Sequence, residues 1–159
     1  ITDKIGFVRI VLIDKAIIRI DDMLFFLFVI FRIATTGIGD IQGFDYIAVF
    51  NSEDEIERVN PDFSKWLDLD LRGVVITAPG NEVDFVSRCF FPKLRVNEDP
   101  VTGSSHCELA PYWGKRLGLK NLRAKQLSKR TGLVECALVE DRVILSGNAV
   151  SYMQGQIII

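Results

Sequence analysis

The stretch Asn97-Glu98-Asp99-Pro100-Val101-Thr102-Gly103-Ser104-Ser105-His106-Cys107 packs an acid, a turn and a helix start into one short run. Pro100 fixes its own φ and removes a donor, and Gly103 can adopt dihedrals closed to other residues, so Asp99 to Ser104 reads as a tight turn. A helical pattern follows at once. Backbone N–H groups at a helix start have no partner within the helix and lie at the positive end of its dipole, so Gly103, Ser104 and Ser105 form a candidate cradle for a carboxylate. Asp99 stands beside that cradle as a candidate proton carrier. Short Asp-Pro and Thr-Gly turns before a Ser-capped helix also serve as plain connectors, so the motif has to be read with its surroundings.

Upstream of the turn stands Asp84-Phe85-Val86-Ser87-Arg88-Cys89-Phe90-Phe91-Pro92, and downstream His106-Cys107-Glu108-Leu109-Ala110-Pro111-Tyr112-Trp113. Beyond them lie Gln126-Leu127-Ser128-Lys129-Arg130-Thr131-Gly132, Asp141-Arg142-Val143 and Ser146-Gly147-Asn148-Ala149-Val150. Taken together, from Phe44 to Ile159, these segments resemble the phenazine-biosynthesis PhzF-like family of isomerases and epimerases, with Glu98 to Ser104 the most specific part. Thr131 departs from the pattern, standing where that family usually has a second glycine.

The resemblance implies a diaminopimelate-epimerase-like architecture of two similar α+β domains, each a curled mixed β-sheet wrapped around a central helix, with the active site in the cleft between them. This chain would supply the second domain, residues 41–159, with residues 1–40 an N-terminal arm that matches the family poorly. The implied chemistry is proton transfer without a cofactor or metal on a small carboxylate-bearing substrate. By the same resemblance Asp99 takes part in the proton relay, while Thr102, Gly103 and Ser104 hold the substrate anion. Ser128 and Arg130 also match recurring family positions, and an ordinary strand-surface role for them stays equally open. The assembled protein is expected to be a cytoplasmic homodimer. The other half of the machinery, a glutamate and a Gly-His helix start, is not found between Ile1 and Asp40. Because the chain opens on Ile1 rather than Met, it is expected to be a piece of a longer protein, and an isomerase only when complete with its N-terminal domain.

Composition fits an ordinary globular domain. The 159 residues are 48% hydrophobic and 25% charged with a net charge of −2, so the chain can bury a core and has no basic surplus to attract nucleic acid. Lys120, Arg123, Lys125, Lys129 and Arg130 gather in one segment but are spaced like the outward face of a strand. Cys89, Cys107 and Cys136 are odd in number and outside CxxC spacing, which suits reduced thiols. Cys107 reads as a small buried core residue, with a reactive thiol as the alternative. A single histidine, His106, rules out a His-rich metal site. The apolar run Met23 to Phe31 is far short of the about 20 residues a membrane span needs, and reads as a buried strand or short helix, or else as a self-association surface.

Strands are expected at Phe7 to Ile13, Ala16 to Ile20, Tyr46 to Phe50, Gly73 to Ala78, Val83 to Phe91, Leu122 to Leu127, Leu133 to Val139, Arg142 to Leu145 and Ala149 to Ile158. Asn51 or Ser52 opens a helix with acids in its first turn, and Asn60-Pro61-Asp62 starts a short helical turn carrying Trp66. Thr35 to Asp40 reads as a loop. From His106 to Leu117 the apolar positions Cys107, Leu109, Ala110, Tyr112, Trp113 and Leu117 surround the helix and predict burial on nearly all sides, ended by Gly118. Two other functions fit the residues. One is a non-catalytic domain of the same fold used for self-association or binding; the other is a cysteine-pair racemase, weakened because Asp99 occupies the turn position where that chemistry wants a thiol.

Overall fold

The computed structural model describes residues 9–12, 45–69 and 71–156. Strand β1 (Arg9–Leu12) pairs in parallel with β2 (Tyr46–Val49), which runs parallel to β3 (Val74–Pro79). Parallel neighbours need a crossover, and helix α1 (Glu53–Glu57) with a 3-10 turn at Phe63–Trp66 supplies it between β2 and β3. Ser52 caps α1 by accepting the Glu55 N–H, with Glu53, Asp54 and Glu55 in the first turn; Asp62 caps the 3-10 turn through the Ser64 N–H. Strand β4 (Phe85–Phe91) returns antiparallel to β3, and β5 (Val96–Asp99) folds back onto β4 after a reversal at Arg95, whose φ is 60°.

Helix α2 (Gly103–Leu117) then carries the chain over the sheet to β6 (Asn121–Gln126), parallel to β4. Strands β7 (Gly132–Val139) and β8 (Arg142–Ser146) follow as antiparallel hairpins. The result is an eight-stranded mixed sheet in the order β1-β2-β3-β4-β6-β7-β8, with β5 attached to β4.

Alternation along the strands divides the core into two layers. On one face Ile47, Val49, Val75, Phe85, Cys89, Phe91, Leu122, Ala124, Val134 and Cys136 pack on Leu109, Ala110 and Trp113 of α2. Five strands therefore bury side chains against a single helix, with Val143 and Leu145 of β8 closing the far side, which is a sheet curled around α2. On the other face Val74, Ile76, Val86 and Phe90 pack with Ile56, Val59 and Trp66 from α1 and the turns after it. The α2 layer is keyed by Trp113, whose ring stacks on Phe85 at 5.9 Å and whose Nε1 donates to Thr77 Oγ1 at 3.0 Å. Gly118, at φ 70°, ends α2 in the left-handed region.

Several expectations are corrected. Helix α2 is one-sided, not buried all round: Gly103, Ser104, Cys107, Pro111 and Lys115 are exposed on a stripe of about one turn's spacing, and Leu117 is exposed as well. The apolar count misled because Cys107, Tyr112 and Leu117 were weighted like Leu109 and Trp113, while the sheet reaches the helix from the opposite side. Cys107 is accordingly exposed, not a core residue. Residues 149–156 form no strand, since they lie beyond β8 with no neighbour among the described residues to complete a ladder, and Val150, Tyr152 and Met153 are exposed. The short strand β5 was not expected as a strand at all. The expected strand Ala16 to Ile20, the run Met23 to Phe31 and the loop Thr35 to Asp40 lie outside the described residues.

Thr131 sits at φ 53° between Ser128 and β7, held there by its N–H donating to the Ser128 carbonyl at 2.9 Å. A β-branched residue is strained in the left-handed region, by roughly 1–2 kcal/mol, of which the greater chain freedom of glycine would offset part. Thr131→Gly should therefore stabilise the fold by about 0.5–1 kcal/mol in urea titration; an unchanged or lower midpoint would show that the turn carries no such strain.

Candidate functional site

Two adjacent acids end β5, and the strand's alternation sends them to opposite faces. Glu98 is taken up by Arg88, whose Nε and Nη2 donate to its two carboxylate oxygens at 2.7 and 3.1 Å. Arg88 Nη1 also donates to the carbonyls of Ile56 and Val59, at 3.0 and 2.7 Å, so this pair ties β5 to the end of α1. Asp99 faces the start of α2 instead. Its Oδ2 accepts the Thr102 hydroxyl at 2.5 Å.

The turn between them is held by a buried amide. Gln126, fully buried at the end of β6, accepts the Thr102 N–H on Oε1 at 2.8 Å and donates from Nε2 to the Asp99 carbonyl at 2.6 Å and to Thr102 Oγ1 at 3.2 Å. Ser128 Oγ donates to the Pro100 carbonyl at 2.8 Å, so two side chains from the β6 end fix three consecutive links of the turn.

Thr102 is the N-cap of α2 but spends its side chain on Asp99, so its hydroxyl makes no capping bond. The N–H groups of Gly103, Ser104 and Ser105 consequently have no hydrogen-bond acceptor among the described residues, and Gly103 and Ser104 are exposed. This leaves an open row of donors beside the Asp99–Thr102 pair. Ser104 Oγ accepts from Arg72 Nη2 at 3.0 Å, which turns its own proton away from the guanidinium. Arg72 in turn pairs in bidentate fashion with Asp45, a fully buried carboxylate, through Nε at 2.9 Å and Nη2 at 2.5 Å, and Asp45 also lies 3.5 Å from Ser105 Oγ. The hydrogen bonds Arg72 donates to Asp45 raise its pKa further against the cost of burial, helped by the charges of Asp45 and Glu108.

Beneath the turn are two neutral groups. His106 is buried with Nδ1 2.7 Å from the Thr102 carbonyl, which fixes the proton on Nδ1, while Nε2 has no partner among the described residues. Burial pushes its pKa down despite that bond. Cys89, paired with Asp99 across the β4–β5 ladder, is fully buried, and desolvation pushes its thiol up to about 12 although Thr102 and Ser105 lie beside it. A thiol so protonated is a poor nucleophile, and Cys107 is also raised by burial, so the geometry gives no reactive pair of thiolates. On the outer side of the turn an open cleft of about 380 Å³ is lined by Glu98, Pro100, Ser128, Lys129 and Arg130. Among the described residues no group of three or more His, Cys, Asp or Glu could hold a metal ion, and no helix is long and apolar enough to cross a membrane.

Asp99, Thr102, Gly103 and Ser104 thus lie at one junction. Arg72, Asp45 and Gln126 were not singled out from sequence. Gln126 carried a signal, being a polar residue at the inward position of β6 after Leu122 and Ala124; Asp45 and Arg72 carried none, because their pairing is long-range.

A profile of the phenazine biosynthesis-like protein family matches residues 15–155. The chain belongs to this family. It is 44% identical over 118 residues to an uncharacterized isomerase of Halalkalibacterium halodurans, spanning 73% of this chain and 44% of that protein. To an uncharacterized isomerase of Pseudomonas aeruginosa it is 49% identical over 111 residues, spanning 70% of this chain and 43% of that one. Among solved structures, a phenazine biosynthesis PhzC/PhzF protein from Clostridium difficile superimposes with TM-score 0.68 at 47% identity, over 74% of this chain and 46% of that chain. A PhzF-family protein of Enterococcus faecalis gives TM-score 0.64 at 53% identity, over 66% and 41%. The chain therefore spans less than half the length of these relatives, and within the family it has the α+β fold of a mixed sheet curled around a helix.

Two outcomes test this geometry. Arg72→Met leaves the Asp45 carboxylate buried without its counter-charge and should cost about 2–4 kcal/mol in urea unfolding, discounted because the Arg72 side chain is 31% exposed; adding Asp45→Asn should recover part of the loss. His106 titrates near 6.5 when unfolded but lower in the fold, so the stability it leaves intact above pH 6.5 should be lost as pH falls from there toward its native pKa. Being the sole histidine, its replacement by Phe should flatten the stability profile between pH 7 and 5; a profile that keeps the wild-type slope would exclude His106 as its source.

Proposed function

We propose that this chain forms the acid/base half of a cofactor-independent isomerase or epimerase that moves a proton on a small carboxylate-bearing substrate. The observation that carries the reading is the placement of the Asp99 carboxylate, through Thr102, beside the open N–H row of Gly103 and Ser104, in a chain of a family whose relatives include proteins named isomerases. The N–H row and the dipole of the fifteen-residue helix favour an anion there, and the Ser104 hydroxyl, accepting from Arg72, has its proton free to donate to the same anion. A substrate carboxylate held at that point brings its α-carbon toward Asp99, so orientation supplies much of the effect and the carboxylate acts as general base, returning the proton as general acid.

Proton abstraction from carbon requires that the site be closed from water and that a second acid/base group face the substrate. In this reading the group is the glutamate that the family resemblance assigns to the other half of the full-length protein, which is taken to act as a cytoplasmic homodimer. In this reading Cys89, whose thiol burial pushes up to about 12, and the buried His106, whose pKa burial pushes down, contribute packing rather than proton transfer.

The test has two arms. Titrating the isotope-labelled chain with benzoate should shift the Gly103 and Ser104 amide resonances, and absence of any shift would remove the anion site. In the intact protein, Asp99→Asn should lower solvent-deuterium incorporation into vinylacetate, a β,γ-unsaturated acid, by about a hundredfold or more. Incorporation at the wild-type rate would end the assignment of Asp99.

A further inference from the structure

We infer that Gln126 is a positioning residue that sets the direction of the hydrogen bonds at the Asp99 turn, so that Thr102 donates to Asp99 Oδ2 and leaves Oδ1 as the oxygen that receives the substrate proton. The inference rests on the proposed acid/base reading and assigns that site an internal order.

The argument follows from which atoms can only donate and which can only accept. The Thr102 N–H has a proton and no lone pair, so the Gln126 atom 2.8 Å from it is the carbonyl Oε1. The Asp99 main-chain carbonyl has lone pairs and no proton, so the atom 2.6 Å from it is Nε2. These two bonds, on a fully buried side chain, fix the amide in one orientation. Nε2 also lies 3.2 Å from Thr102 Oγ1 and can only donate there. The Thr102 hydroxyl has one proton, and with a lone pair occupied by Gln126 that proton points to Asp99 Oδ2 at 2.5 Å.

A hydroxyl donating to Oδ2 makes that oxygen an acceptor. If Asp99 instead carried a proton on Oδ2, the hydroxyl proton would have to turn to the Cys89 thiol, which lies against Thr102 and is itself protonated. The network therefore holds Asp99 as an acceptor. Among the described residues Oδ1 has no hydrogen-bond donor, and it is the oxygen left for the substrate. In the transfer the C–H bond of the substrate breaks, its electron pair enters the adjoining unsaturated acid, and the proton bonds to Oδ1. Asp99 becomes neutral until that proton is returned to carbon.

Gln126→Glu keeps the acceptor for the Thr102 N–H but removes both donors. Thr102→Val keeps the shape and removes the hydroxyl, and Thr102→Ser restores it. In the intact protein exchanging deuterium into vinylacetate, Gln126→Glu and Thr102→Val should each lower kcat by at least about tenfold with KM within about threefold, and Thr102→Ser should return kcat to within about threefold of wild type. A purely structural role predicts no such rescue and a loss of fold, which the near-ultraviolet signal of Trp113 and the benzoate-induced Gly103 and Ser104 amide shifts report separately. Wild-type kcat in Thr102→Val, failure of Thr102→Ser to recover, or a loss confined to KM would overturn the positioning role while leaving Asp99 assigned. A wild-type protein that exchanges no deuterium would overturn both.

Discussion

Burial of α2 in the curled sheet is the constraint on which the rest of this structure depends. Side chains of β2, β3, β4, β6 and β7 converge on Leu109, Ala110 and Trp113, and the Trp113 indole must find both an aromatic neighbour, Phe85, and an acceptor, Thr77 Oγ1. Because those partners come from β3 and β4, the helix can dock in only one rotation about its axis. Gly114 permits it to lie close: a Cβ there would stand 2.5 Å from Leu138 and 2.8 Å from the Leu119 carbonyl. The docking rotation then decides which residues at the N-terminus face the solvent, and these are Gly103 and Ser104.

Polar order at the helix start follows from the same docking. Once α2 is seated, Thr102, Ser105 and His106 are buried and each polar group needs a partner. Gln126 meets those of the turn, Asp45 and Arg72 meet the serines, and the Thr102 carbonyl takes the His106 ring. Among the described residues the first N–H groups of the helix, one oxygen of Asp99 and, deeper in, His106 Nε2 remain without a partner. In the proposed reading, the N–H row is what is left to an anion and Asp99 Oδ1 what is left to a proton.

The charges near the site are balanced locally. Arg88 is absorbed by Glu98 and the carbonyls after α1, and Arg72 by Asp45, so neither arginine supplies an unneutralised cation to the turn. Attraction for an anion therefore rests on amide dipoles and a hydroxyl, which bind through geometry more than through net charge. In the proposed reading such a site would discriminate by shape and orientation more than by charge.

Local chemistry was readable along the chain. The helix start at Asn51 or Ser52, the helical turn begun by Asn60-Pro61-Asp62, the stop at Gly118, the paired strands on either side of Pro79-Gly80-Asn81 and the acidic turn before α2 each rest on one or a few neighbouring residues, and each is found in the structure, with Ser52 and Asp62 as the capping residues. The family resemblance named Asp99, Thr102, Gly103 and Ser104, which the structure brings to one junction. Position in space was not readable. Which face of α2 is buried, whether Glu98 or Asp99 turns toward the helix, why residues 149–156 form no strand, and how Gln126 from the end of β6 and Arg72 from the loop before β3 reach the start of α2 all depend on contacts between segments tens of residues apart. Sequence periodicity records how a segment can pair and not which segment it meets, so most strands, the long helix and the acidic turn before it were determined by the sequence alone, while strand β5, the irregular course of residues 149–156 and the hydrogen-bond order that makes the turn a candidate site were decided only when the sheet closed around the helix.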